Sequence, residues 1–132
     1  PFLEALSPAE RFPQFAEDFR RNAGIPFVYE IIDPQTVRLR LADAMEFLSK
    51  VGYVDNWLSE THEQFCTLSW ADWTALVGQA GLEVDPRSGP WRNEWVVEHS
   101  YAAAARLTTP AGDAVDWPDT HLLLVATRSL QG

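Results

Sequence analysis

The chain has 132 residues, 46% of them hydrophobic, and carries 19 acidic against 10 basic side chains for a net charge of −9. That length suits one domain with one core, which buries roughly two thirds of the unfolded surface. The negative charge argues against a nucleic-acid backbone or an anionic membrane surface as partner, and no apolar run approaches the ~18 residues of a membrane span.

Ser7-Pro8-Ala9-Glu10 opens the first element, with a capping Ser, a Pro at the first helical position and a Glu three residues after the cap. Phe12, Phe15, Ala16 and Phe19 follow at helical spacing and Gly24 suits the stop. Pro13 lies about one turn in, so the helix is expected to be irregular there or to start later. Ile25 to Ile32 reads as a strand or an extended connector, Asp33-Pro34-Gln35 as a turn, and Val37 to Leu41 as a half-buried strand.

Ala42 to Val51 reads as a helix with Ala44, Phe47, Leu48 and Val51 on one face and Gly52 as its cap. Asn56 to Gln64 reads as a short helix. Ser69 to Ala80 has the clearest helical pattern. Ser69 and Asp72 form an acidic capping box, Trp70, Trp73, Leu76, Val77 and Ala80 form an apolar stripe, and Gly81 ends it. Leu82-Glu83-Val84 begins a strand, Asp85 to Pro90 is a loop, and Trp95-Val96-Val97 is a strand or the start of a helix. Ala102 to Thr108 and Ala114 to Trp117 read as a hairpin, and His121 to Thr127 as a continuous buried strand. The class expected is α+β, with N-terminal helices packed on a mostly antiparallel sheet that includes the C-terminal hairpin and the final buried strand.

Cys66 is the one cysteine, so no disulfide forms within the chain and a reducing, cytoplasmic setting is expected. His62 and Cys66 stand four apart, but no second helical histidine and no C-x-x-C completes a metal pattern. Cys66 beside Phe65 and Leu68 reads as a small hydrophobe rather than a nucleophile. Asp113, Asp116 and Asp119 lack further ligands at calcium-loop spacing and read as a solvated turn. No catalytic residue and no metal ligand is therefore assigned. The densest polar-aromatic cluster is Trp91-Arg92-Asn93-Glu94-Trp95 with Glu98-His99-Ser100-Tyr101, the arrangement a small-molecule site needs.

An ordered set of motifs carries a resemblance. Tyr53, Trp57, Glu60, Glu63 and Phe65 come first, then Trp73, Leu76 and Ala80-Gly81-Leu82 with Val84. Asn93-Glu94-Trp95-Val96-Val97-Glu98-His99 follows, and last Pro118 with Thr120 to Ala126. Over Thr36 to Arg128 this resembles the C-terminal half of certain bacterial class I S-adenosylmethionine-dependent methyltransferases. In those, an "AGF.V" strand entry precedes an "NPW" loop, a hairpin and a final "LLVAE"-like strand. Here the loop is Asn93-Glu94-Trp95, without the Pro, and the entry is Ala80-Gly81-Leu82.

The resemblance implies the back half of an α/β methyltransferase fold: a substrate-facing region that lacks the cofactor loop and is not active by itself. The seven glycines are never spaced G-x-G, so no residue is assigned to the cofactor, and S-adenosylmethionine is expected only with a missing N-terminal half. Beginning at Pro1, the chain is expected to be one domain over 1–132, a fragment or C-terminal domain of a longer protein. Trp57, Trp91, Asn93, Trp95, Glu98 and His99 are the implied substrate-binding residues, and Phe12, Phe15 and Phe19 further lining of an acceptor pocket. The partners expected are a small-molecule substrate or the missing half, with no nucleic acid and no membrane; a homodimer is compatible with this. The alternative is a self-contained small α+β domain that binds an unknown ligand in an aromatic pocket, or another protein through a Trp-rich face.

Overall fold

A computed structural model describes residues 6–128. They fall into two compact units, one holding the chain up to Phe65 together with Glu98–Val115, the other Cys66–Val97 together with the chain from Asp116 onward.

The first unit is built on helix α1 (Pro8–Ala23). The Ser7 hydroxyl accepts from the Glu10 amide while the Glu10 carboxylate accepts from the Ser7 amide at 2.9 Å, so two otherwise orphaned donors are satisfied. Gly24 closes the helix at φ 74°, in the left-handed region where a Cβ would be strained. Pro13 sits inside the helix, which runs through it without a break. The chain then extends to a hairpin, β1 (Tyr29–Asp33) with β2 (Thr36–Leu39), whose turn is fixed by the Gln35 amide donating to the Asp33 carboxylate at 2.8 Å.

Helix α2 (Leu41–Leu48) follows, and after it a 3₁₀ turn, Val54–Asn56, leads into the single turn α3 (Trp57–Glu60). Helix α2 ends on Ser49 in ordinary right-handed geometry rather than on Gly52, because the chain carries on turning through 49–52 instead of reversing there. Phe12, Phe15 and Phe19 are at most 2% exposed and pack with Phe27, Tyr29, Phe47 and Trp57. The ring centroids lie 4.9–5.9 Å apart in tilted, edge-on and stacked pairs, the distances at which ring quadrupoles attract. The Phe positions thus make a filled aromatic core and leave no open wall between the rings.

In the second unit, helix α4 (Trp70–Gln79) carries the same reciprocal cap: the Ser69 amide donates to Asp72 at 2.8 Å and the Asp72 amide to the Ser69 hydroxyl at 3.1 Å. Its backbone and side-chain hydrogen bonds to Ser69 hold the Asp72 carboxyl below its ordinary pKa. Gly81, at φ 74°, turns the chain into β3 (Leu82–Val84), then β4 (Gly89–Trp91) and the single turn α5 (Glu94–Val96). A π-helical turn, Val97–Tyr101, comes next.

The class is α+β. The strands form three two-stranded antiparallel ladders: β1 with β2, β3 with β6 (Ala126–Arg128), and β4 with β5 (His121–Leu123). The expected hairpin closes through one bridge, Thr108 with Ala114, since Ala102–Ala104 is helical. The final apolar run is two short strands. Between them the Val125 amide donates to the Ser88 hydroxyl at 2.8 Å, and the Ser88 hydroxyl and Asp85 amide donate to the Val125 carbonyl. A side chain from the β3–β4 loop therefore takes the hydrogen bonds that a neighbouring strand would have taken. Leu122 and Leu123 remain 42% and 47% exposed, because each ladder is only two strands wide.

Candidate functional site

In the first unit a polar framework surrounds the aromatic core. Asp18, on the buried face of α1, accepts from the Trp57 indole N–H at 2.7 Å and the Gln14 amide at 3.0 Å, and is ion-paired with Arg21. Asn22 donates to the Thr61 hydroxyl at 2.8 Å. Lys50 is 1% exposed; its ammonium donates to Glu46 at 2.9 Å and to the Glu63 carbonyl, over the faces of Phe19 and Phe65. Glu46 also accepts from the Phe65 amide at 3.1 Å. These bonds satisfy the buried charges and anchor the chain from Trp57 to Phe65.

Beside this framework lies a cavity of about 360 Å³, bounded by Arg11 of α1 and the segment Val51–Asn56. Arg11 is 9% exposed, donates to the Val51 carbonyl, and lies with its guanidinium carbon 5.9 Å from the Trp57 ring centroid. Tyr53, Asp55 and Asn56 are the other polar residues that line it.

The second unit holds a separate cluster. Trp91 of β4 and His121 of β5 are register partners whose rings stack at 4.6 Å and 20°. The Thr120 hydroxyl accepts from the Asn93 amide at 2.8 Å and lies 2.6 Å from His121 Nδ1, while the Thr120 amide donates to the Trp91 carbonyl at 3.0 Å. Asn93 also caps α5, accepting from the Val96 amide at 3.3 Å. Arg92 pairs with Glu94 at 2.6 Å and Asp116 at 2.9 Å, and these two carboxylates raise its pKa.

Of the residues expected to bind substrate, Trp57 belongs to the first unit, where its ring packs edge-on against Phe15 and its N–H is used on Asp18. Glu98 and His99 are exposed on the part of the π-helical turn that belongs to the same unit. Trp91, Asn93 and Trp95 belong to the second, with Trp95 67% exposed. The sequence reading gave no site role to Arg11, Tyr53, Asp55 and Asn56 at the cavity, nor to His121 in the stack and Thr120 beside it. A charged residue directly before Phe12 on the apolar face of α1 is the mark that points to Arg11. Nothing local marks His121, because its pairing with Trp91 spans some thirty residues.

His62 Nδ1 donates to the Leu58 carbonyl at 2.6 Å, and Cys66 is exposed. Among the described residues no helix is long and apolar enough to cross a membrane. The chain matches no protein-family model, and neither a curated protein nor a solved structure is significantly similar to it.

Proposed function

We propose that this chain is the substrate-facing C-terminal region of a bacterial, cytoplasmic S-adenosylmethionine-dependent methyltransferase that acts on a small-molecule acceptor. The observation that carries the reading is the pairing of two of its motifs that stand far apart in the sequence. The strand that follows α4 and Gly81 lies antiparallel to the last described strand, with Leu82 opposite Arg128, Glu83 opposite Thr127 and Val84 opposite Ala126. The Ala80-Gly81-Leu82 entry and the end of the closing apolar run are thus neighbours in one ladder. Among the described residues that ladder has two open edges, which suits a sheet that further strands complete.

The residues present do not fit the methyl donor. The three glycines with positive φ end α1 (Gly24), end α4 (Gly81) and sit in the 109–113 turn (Gly112). None lies between a strand and the start of the helix that follows it, where a donor loop needs backbone to approach the ligand. The donor therefore belongs with residues beyond this sequence, and the contribution of this chain is to hold the acceptor in line, where a small misplacement costs orders of magnitude in rate. Isothermal titration with S-adenosylmethionine tests this on the complete product of the gene and on the 132-residue chain. Binding by the complete product alone is expected. No binding by the complete product contradicts the reading.

A self-contained small α+β domain, binding a ligand or another protein, is the second reading, and the aromatic core of the first unit favours its being self-contained. Phe12, Phe15, Phe19, Phe27, Phe47 and Trp57 pack on one another with every ring supplied by this chain.

A further inference from the structure

We draw no further inference here: the strongest candidate, the apolar outer edge of the closing run over 121–128, where Leu122 has as its register partner Pro90, a residue with no N–H to give, and where Leu122 and Leu123 are exposed, carries nothing because nothing in the structure shows what covers it.

Discussion

Lys50 shows how this chain handles charge in its interior. The ammonium is surrounded by the Glu46 carboxylate, the Glu63 carbonyl and two aromatic faces, and the residue is 1% exposed. Removing one member of a buried pair strands the other, so Lys50→Met is expected to destabilise the chain by about 3–5 kcal/mol in urea denaturation. Lys50→Met with Glu46→Leu is expected to cost less than Lys50→Met alone, because no charge is then left uncompensated. Asp85 gives the surface counterpart. Arg87 grips its carboxylate with Nε and Nη2 at 2.9 Å each, its backbone N–H adds a third bond, and the Asp85 pKa falls to about 2. A carboxyl whose folded pKa is depressed stabilises the fold above its unfolded pKa of about 3.9 and loses that contribution as pH falls toward 2. Asp85→Asn is therefore expected to flatten the drop in urea midpoint between about pH 4 and pH 2 without abolishing it, since Glu10 and Asp72 are also held low by their caps. At this scale the sequence marked Phe12, Phe15, Phe19 and Phe47 on the apolar faces of their helices, and all four are buried. It did not mark Arg11 or His121 as site residues, because their partners lie forty and thirty residues away.

Local chemistry explains which elements were legible. The ends of α1 and α4 carry the clearest signals because each helix starts on a reciprocal cap and stops at a left-handed glycine, all within one stretch of chain. Their interiors were less readable. The Trp70-Trp73-Leu76-Val77 stripe of α4 buries fully only Val77, and Leu76 is 45% exposed. Pro13 was expected to disturb α1, yet the aromatic face on either side of it holds the helix continuous. That continuity comes at the expense of a backbone hydrogen bond to the Ala9 carbonyl, so Pro13→Ala is expected to stabilise the chain by about 1–3 kcal/mol, measured by thermal denaturation. The last apolar run looked continuous because nothing inside it signals a break. The break is imposed from the β3–β4 loop by Ser88, a contact of high sequence separation that periodicity does not contain.

For the whole molecule, the α+β class followed from the mixture of helical and alternating segments, whereas the division of the strands among three separate ladders did not. Pairing partners are set by tertiary contacts, and short strands carry little register information of their own. Two-stranded ladders are marginal in water unless something packs on them, and Leu122, Leu123 and Trp91 stay more than 40% exposed here. That exposure agrees with the view that the chain supplies part of a larger sheet. The measurement that tests this most directly is amide hydrogen exchange, residue by residue, on the 132-residue chain and on the complete product of its gene. The account predicts fast exchange at the outward-facing amides of Leu82–Val84 and Ala126–Arg128 in the 132-residue chain, with strong protection of one edge in the complete product. Equal exchange in both would contradict it and leave the self-contained domain.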